Sequence, residues 1–265
     1  MSLELNLNGK IAIITGGSKG LGWETAKKMS EEGAKLVLVS RNSDDLEKCA
    51  ITLKKEYTTE IETIAADLSE KESADNVVEQ TISRFKRIDI LINSAGSAKG
   101  GIFWELSDDI WEEAYALKLF GTIRMIKAVV PIMKKQQYGR IVTIAGDSGK
   151  QPSQLMLPGS TANAALLALT KGVADAVGSF GISVNAVNPG PTRTERIKKM
   201  FESLSAATKK SVEEIEQDFV KDSPFKRVAE PAEIAKTILF LASDASQHIT
   251  GSSITCDGGR TRTVA

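Results

Sequence analysis

The stretch that most constrains the fold is Thr15 to Gly22, TGGSKGLG, which lies between a short apolar run and an amphipathic stretch, Trp23 to Glu32. This order predicts a strand, a glycine turn and a helix. Gly16 allows a tight turn, Gly20 a close approach of the backbone to a ligand, and Gly22 close packing of helix on strand. Free N–H groups at the start of the helix favour an anion. The loop therefore indicates a site for a dinucleotide pyrophosphate.

Short runs rich in β-branched residues alternate with helical patterns along the whole chain. Strands are predicted at 11–14, 36–39, 61–66, 88–92, 140–145, 183–187 and 252–256. Helices are predicted at 23–32, 44–56, 73–85, 107–135, 160–179 and 231–243. Repeated strand–helix units with nearly continuous apolar strands predict a parallel sheet covered by helices on both faces. We expect an α/β fold: one Rossmann-type, doubly wound domain over residues 1–265, with about seven strands.

The segment at about 192–225 is longer than the crossover expected after the sixth strand. It contains two amphipathic pieces, and the second follows a capping box, Ser211 to Glu214. Insertions at the carboxyl end of a sheet strand are where substrates bind in open α/β folds. We expect a small helical lid over a substrate, because the apolar faces need a partner to cover; a surface helical hairpin is the alternative.

Composition excludes several classes of function. Lys plus Arg and Asp plus Glu number 34 each among 265 residues, so no net charge points to nucleic acid or an acidic membrane surface. No apolar run reaches the roughly 18 residues that a membrane span requires, and the first ten residues do not resemble a signal peptide. Two distant cysteines suit a reducing, cytoplasmic compartment. With His248 as the one histidine, no metal site is expected.

The motifs, taken together, resemble those of the short-chain dehydrogenase/reductase family over nearly the whole chain. The matching segments are the glycine motif (Thr15, Gly16, Gly20, Gly22), Asp67-Leu68, Asn93 to Gly96, Asn188 to Thr194, and Ile249 to Gly259. The resemblance implies an oxidoreductase with a nicotinamide cofactor, whose carboxamide meets Thr194. The implied cofactor residues are Gly16, Ser18, Lys19, Gly20, Leu21, Gly22, Arg41, Asp67, Leu68, Asn93, Ala95, Gly96, Asn163, Pro189, Gly190, Thr192 and Thr194.

The end of the second strand indicates which cofactor is bound. NAD-binding members usually place Asp or Glu there, on the ribose hydroxyls, whereas this chain has Ser40 followed by Arg41. Lys19 lies inside the glycine loop. Arginine offers parallel donors to a phosphate and lysine adds a point charge, so NADP(H) is favoured over NAD(H). The alternative is that both cations are ordinary solvated surface groups.

The resemblance also implies four catalytic side chains, and this chain replaces all of them. Alignment on the flanking strands and helix places the family's Tyr at Gly159, its Lys at Asn163, its Ser at Gly146 and its Asn at Lys118. Glycine cannot donate or accept a proton through a side chain, and loss of a general acid costs about 10²–10⁴ in rate. Hydride transfer remains possible, but it needs another proton route.

Three residues are candidates for that route. Lys118 could polarise a carbonyl, Asp147 could pair with Lys118, and Ser160 supplies a hydroxyl beside the vacated Tyr position. Asn163 can still bond a ribose hydroxyl. The alternatives are a solvated charge for Lys118, a turn former for Asp147 and a helix N-cap for Ser160.

Three functions remain open. The first is an NADP(H)-dependent oxidoreductase acting on a small, partly apolar carbonyl or alcohol by a non-standard proton route. The second is a catalytically inactive NADP(H)-binding sensor or oligomer partner. The third is a lyase, hydratase or isomerase that reuses the pocket. The helix at 162–177 is apolar nearly all round, which predicts burial against another subunit of a homodimer or homotetramer, or else within one subunit.

Overall fold

One seven-stranded parallel sheet forms the centre of the molecule. The computed structural model describes residues 4–263, so the ends of the domain expected at 1–265 lie outside the described residues. The strands are β1 (Ile11–Thr15), β2 (Lys35–Ser40), β3 (Ile61–Ala65), β4 (Ile90–Asn93), β5 (Gly139–Ile144), β6 (Ile182–Pro189) and β7 (Ser253–Cys256). Their order in the sheet is β3-β2-β1-β4-β5-β6-β7. Each predicted strand is confirmed, with small differences at the ends.

Two strand ends differ by two residues: β6 continues to Pro189 instead of 187, and β4 begins at Ile90 instead of Ile88. The side chain of Gln136 hydrogen-bonds to both the N–H and the carbonyl of Ile88. The Ile88 N–H donates to Gln136 Oε1 at 3.1 Å, and Gln136 Nε2 donates to the Ile88 carbonyl at 2.7 Å. These side-chain bonds replace the strand ladder, which a local hydrophobic pattern cannot reveal.

Helices cover both faces of the sheet. They are α1 (Gly20–Glu31), α2 (Ser43–Glu56), α3 (Ser73–Phe85), α4 (Asp108–Ala114), α5 (Thr122–Gln136), α6 (Leu157–Val177), α7 (Glu195–Thr208), α8 (Val212–Val220) and α9 (Pro231–Ala242). The start of α6 precedes the predicted residue 160, since Pro158 suits the first turn of a helix. Within residues 4–263, no helix is both long and apolar enough to cross a membrane.

Alternate side chains of each strand enter two separate cores. Ile14 and Leu38 pack on one face with α1 and α9, whereas Ile13 and Val37 pack on the other with α3 and α5. Strands buried on both faces are the reason for their nearly continuous apolar sequence. The doubly wound fold class is therefore confirmed.

The helical region predicted at 107–135 is not one regular helix. A π-helical segment, Tyr115–Gly121, separates α4 from α5. A π turn has i→i+5 hydrogen bonds and is frequently found at functional sites. Lys118 lies in the middle of this segment.

Between β6 and α9, the predicted pair of amphipathic helices is confirmed as α7 and α8, with the capping box at Ser211. Their apolar faces largely cover each other. Phe201 is buried with Ile215, and its ring meets that of Phe219 edge-on at 5.4 Å between centroids. The pair thus forms a small core of its own, whereas Met200 on α7 remains exposed.

Candidate functional site

The loops that follow β1, β4, β5 and β6 meet at one edge of the sheet and form a crevice. From β1 the chain winds outward to β2 and β3, then returns past β1 to β4, so the direction of winding reverses between β1 and β4. Ligands of open parallel sheets bind outside the carboxyl ends of the strands at such a reversal. The predicted cofactor and catalytic residues belong to these loops and to the helices beside them.

The glycine loop has the backbone geometry that a closely bound ligand needs. Gly16 and Gly20 have φ values of +65° and +57°, which favour glycine. A Cβ at Gly22 would lie 2.3 Å from the Gly16 carbonyl oxygen, so no side chain fits there. The Cγ2 of Thr194 lies 3.7 Å from the Cβ position of Gly20. The threonine predicted to meet the carboxamide is therefore beside this loop.

Thr15 joins the glycine loop to the loop after β4. Its hydroxyl oxygen accepts hydrogen bonds from the N–H groups of Ser94 and Ala95 at 3.0 and 3.1 Å. The backbone of Ala95 also lies 3.0 Å from the Cβ position of Gly16, so the two loops touch. Asn93 is buried, and its Oδ1 has no hydrogen-bond partner in the described chain. The predicted glycine-loop and 93–96 residues thus form one wall.

The loop after β6 supplies the opposite wall. The Cβ position of Gly190 lies 2.7 Å from Cβ of Asp257, which leaves no room for a side chain. Thr192 Oγ1 donates to the Gly190 carbonyl at 3.0 Å. At the end of β6, beside Pro189, Asn188 is fully buried and neither amide atom has a partner among residues 4–263.

Unpaired buried amides are costly, so these atoms and the bare glycine backbone fit a polar ligand such as a nicotinamide dinucleotide. Of the other predicted cofactor residues, Ser18 and Leu21 anchor the turn through their carbonyls, which accept from Cys49 Sγ at 3.4 Å and Thr25 Oγ1 at 2.7 Å. Leu68 and Gly96 lie in the loops after β3 and β4. Leu68 is buried in the core and offers a ligand only its backbone.

The two cations predicted to hold a 2′-phosphate lie at the end of β2 and in the glycine loop, and each has an acidic neighbour. Lys19 Nζ is 2.7 Å from Asp45, and the nearest atoms of Arg41 and Asp67 are 4.0 Å apart. Both cations are largely exposed. Burial alone would raise the pKa of Asp67, but hydrogen bonds from Ser69 and the charge of Arg41 outweigh it and lower that pKa.

Lys118 extends from the π-helical segment into the interior. Its methylenes pack against Gly96, where a Cβ would lie 2.9 Å from the lysine Cγ, and its Nζ donates to the Ala145 carbonyl at 3.0 Å. No carboxylate of the described residues lies within 4.0 Å of the ammonium. Burial, followed by the charge of Arg196, lowers the pKa of Lys118 to about 8. The ammonium of Lys118 is thus buried although the residue as a whole is only half-buried, which argues against the solvated-charge alternative.

Gly146 and Asn163 contact each other beside the end of β5. Gly146 has φ +140° and ψ +150°, a conformation that L side chains rarely adopt. A Cβ there would lie 2.8 Å from Asn163 Nδ2. That amide nitrogen donates to Ser148 Oγ at 2.9 Å, whereas Asn163 Oδ1 is buried with no partner within the described residues. Asn163 therefore keeps a free acceptor.

Gly159 lies in the first turn of α6 against the loop after β4. Its Cβ position is 3.2 Å from Cβ of Ala98, so the loop packs on bare backbone. Ser160 is only 1% exposed, and its Oγ accepts from the Ser153 N–H at 3.2 Å. The N-cap alternative for Ser160 is wrong, because α6 begins at Leu157.

Asp147 does not pair with Lys118, which corrects the sequence-based pairing. Its Oδ2 lies 2.8 Å from Nη1 of Arg260, in the segment after β7. Burial raises the pKa of Asp147, and Arg260 opposes that rise. The segment after β7 contacts the loop after β5 at a second point, where the Arg262 N–H donates to the Gln151 side chain at 3.0 Å.

Sequence reasoning missed two cations at this site, Arg260 and Arg196. Arg196, in the first turn of α7, places Nη2 3.4 Å from the Ala98 carbonyl. Neither residue belongs to a motif. The arginines that cluster in the sequence after β6 and after β7 were a signal that could have indicated these cations.

Comparisons with known proteins relate the whole chain to oxidoreductases. The family model described as enoyl-(acyl carrier protein) reductase matches residues 16–261. An uncharacterized oxidoreductase, YvrD, of Bacillus subtilis (strain 168) is 31% identical, with 99% of this chain and 100% of the relative covered. The (2S)-[(R)-hydroxy(phenyl)methyl]succinyl-CoA dehydrogenase subunit BbsD of Thauera aromatica is 34% identical, covering 97% and 98%. Crystalline L-sorbose reductase from Gluconobacter frateurii, complexed with NADPH and L-sorbose, superposes with a TM-score of 0.95 at 31% identity, covering 98% and 99%.

Proposed function

Since the chain belongs to the short-chain dehydrogenase/reductase family, we propose that it is an NADP(H)-dependent oxidoreductase that acts on a small carbonyl or alcohol by a non-standard proton route. The observation that carries this proposal is the buried ammonium of Lys118, which has a backbone carbonyl as its hydrogen-bond partner. A lysine with a pKa near 8 is largely protonated at neutral pH but gives up its proton readily. Lys118 is therefore suited to donate a proton to a carbonyl oxygen.

The proposal includes replacement of the family's four catalytic side chains. Gly146 and Gly159 have no side chain, and the Asn163 side chain donates a hydrogen bond to Ser148. The cofactor, when bound, supplies or accepts the hydride. In the reductive direction, Lys118 would hold the carbonyl oxygen and transfer its proton to it, and water would then reprotonate the amine. Asn163 Oδ1, which is buried and has no partner within residues 4–263, would accept from a ribose hydroxyl.

NADP(H) is the proposed cofactor because the acidic residue expected on an NAD ribose is absent at Ser40. Arg41 and Lys19 flank the same edge, and their contacts with Asp67 and Asp45 are exposed. Exposed ion pairs contribute roughly 0–1 kcal/mol, so a phosphate can displace them at little cost. The NADPH found with the Gluconobacter frateurii enzyme supports this choice.

We place the protein in the cytoplasm as one domain, acting on a small, partly apolar molecule rather than on nucleic acid or a membrane. Although the apolar faces of α7 and α8 largely cover each other, Met200 and Leu204 of α7 remain exposed, and through them the pair would serve as a lid. A homodimer or homotetramer is supported by α6, which is not buried all round: Ala164 and Ala168 are exposed on one face.

The alternative, a catalytically inactive NADP(H)-binding sensor or oligomer partner, rests on one observation. Each polar candidate at the site already has a partner: Lys118 bonds Ala145, Asp147 pairs with Arg260, and Ser160 accepts from Ser153. Under this alternative, a site without the family's catalytic side chains binds the cofactor but catalyses no reaction.

An assay of binding and turnover separates the two functions. NADPH and NADH are titrated by protein fluorescence, and NADPH oxidation is followed with aldehydes, ketones, quinones and imines. We expect NADPH binding with turnover that falls about 10²–10⁴-fold in Lys118→Ala. Lys127→Ala, an exposed lysine on α5, is the matched control. Binding without turnover on any substrate supports the alternative, and failure to bind either cofactor refutes both.

A further inference from the structure

Two cations that border the crevice, the exposed Arg196 and the buried ammonium of Lys118, have no acidic partner among the described residues. Among residues 4–263, the hydrogen bond of Arg196 is with the Ala98 carbonyl and that of Lys118 with the Ala145 carbonyl. Arg193, three residues before Arg196, is by contrast neutralised, since it pairs with Glu216 and Glu230 at 2.6 and 2.9 Å. A guanidinium and a buried ammonium therefore border the same crevice with their charges uncompensated.

The loop after β4 brings these two cations together. Its Gly96 packs against the methylenes of Lys118, and its Ala98 contacts both the Gly159 position and the Arg196 guanidinium. The positive charge of Arg196 adds to the effect of burial in lowering the pKa of Lys118, as expected of neighbouring like charges. An anion between them would relieve this repulsion.

Arg196 is also unfavourable for the helix that carries it. It is the second residue of α7 (Glu195–Thr208), where the helix dipole favours negative charge and disfavours a cation. A residue that opposes its local structure without a compensating partner points to a functional role. An anion bound by Arg196 would interact favourably with the helix N-terminus as well.

The rim beside this pair is apolar. Ile102 and Phe103, in the loop after β4, and Leu155, before α6, are 42%, 57% and 54% exposed. The Gly101 N–H donates to the Leu155 carbonyl at 2.9 Å, so the two segments form one surface. Large exposed apolar side chains in one patch mark a binding surface. A ligand with an anionic group and an apolar body would meet both parts of this mouth.

We infer that the substrate is an oxo acid, or the matching hydroxy acid, with an apolar side chain, and that Arg196 binds its carboxylate. The inference rests on the proposed function and narrows it. Lys118 meets the carbonyl oxygen, Arg196 holds the carboxylate through its two-pronged donor set, and the apolar rim takes the side chain. Arg196 is thus a specificity-determining residue.

The test compares acids with their methyl esters, which keep the carbonyl and lose the charge. The probes are 4-methyl-2-oxopentanoate and 4-oxopentanoate, each with its methyl ester. Binding to the protein saturated with NADP⁺ is measured by calorimetry, because the oxidised cofactor permits no reduction. The variants are Arg196→Gln and, as a matched control, Lys199→Gln, an exposed lysine further along α7.

We expect at least one acid to bind ten or more times more tightly than its ester. Arg196→Gln should remove most of that preference and leave ester binding unchanged, and Lys199→Gln should retain the preference. Equal binding of acid and ester in both pairs, a preference that survives Arg196→Gln, or no binding of either acid would overturn the inference. A later finding that no carbonyl is reduced would refute the proposed function without affecting this binding result.

Discussion

Replacement of Lys118 by methionine is expected to stabilise the protein while impairing turnover. Burial, with a further contribution from the charge of Arg196, lowers the pKa of Lys118 from 10.5 to about 8, and each pKa unit corresponds to about 1.4 kcal/mol. Keeping the ammonium charged at pH 7 therefore costs about 3 kcal/mol of folding free energy. Methionine fills a similar volume against Gly96 but loses the bond to Ala145, which costs about 1 kcal/mol. The net gain at pH 7 is about 2 kcal/mol, or roughly 4–8 °C in Tm.

The gain should depend on pH with a definite sign. Between the folded pKa of about 8 and the unfolded value of 10.5, the unfolded chain holds more protons on Lys118 than the folded chain does. Wild-type stability from this residue therefore rises with pH across that window. At pH 10 the charge penalty has fallen to about 1 kcal/mol, so wild type and Lys118→Met should be nearly equal in stability.

Chemical denaturation at pH 7 and pH 10 measures this difference. Taking the gap between wild type and Lys118→Met at each pH removes the contribution of tyrosines and cysteines that titrate in both proteins. Lys127→Met, at an exposed position on α5, should show no pH-dependent gap. The assignment of Lys118 as a buried charge that destabilises the fold would be refuted by either of two results. One is a stability difference between wild type and Lys118→Met that is the same at both pH values, and the other is a variant less stable than wild type at pH 7.

Three other substitutions test the site. Gly146→Ser places a Cβ 2.8 Å from a neighbouring amide at φ +140° and should lower the unfolding free energy by about 1–3 kcal/mol. Gly172→Ala, with open space around it, should not destabilise the protein. Equal losses of unfolding free energy in the two variants would contradict backbone strain at Gly146. Arg41→Asp should weaken NADPH binding at least tenfold relative to NADH in fluorescence titrations, and an unchanged ratio would argue against the phosphate role. Arg260→Ala leaves the Asp147 carboxylate without its cation and should cost about 1–2 kcal/mol at pH 7, discounted for partial exposure. Since the pKa of Asp147 would rise further, that loss should shrink as pH falls towards 4, and a loss independent of pH would contradict the pairing.

The sheet and its helices were predictable because each depends on a local pattern. The apolar run at Ile11 and the glycines from Gly16 to Gly22 specify a strand, a turn and a helix within a short window. The position of the crevice is a consequence of that parallel sheet, since parallel strands place their carboxyl ends together. The prediction of a capping box at Ser211 was confirmed for the same reason: all of its bonds lie within one helical turn.

Contacts between distant segments could not be predicted. The pairing of Asp147 with Arg260 joins residues from different ends of the chain, and only the folded sheet brings the segment after β7 over the loop after β5. The hydrogen bonds between the Gln136 side chain and the Ile88 backbone likewise join residues that are far apart in the sequence. The apolar faces of α7 and α8 were visible in sequence, but not that they would largely cover each other around Phe201.

The direction of Lys118 is set by how many residues separate α4 from α5. A π turn accommodates one residue more than an α turn, and each residue of an α-helix rotates its neighbours by about 100°. Deleting Leu119 alone would allow regular α-helical pairing through Tyr115–Gly121. It would swing the ammonium about a quarter-turn away from Ala145 without altering the lysine itself. A single-codon deletion can therefore relocate this charge as effectively as a substitution can remove it.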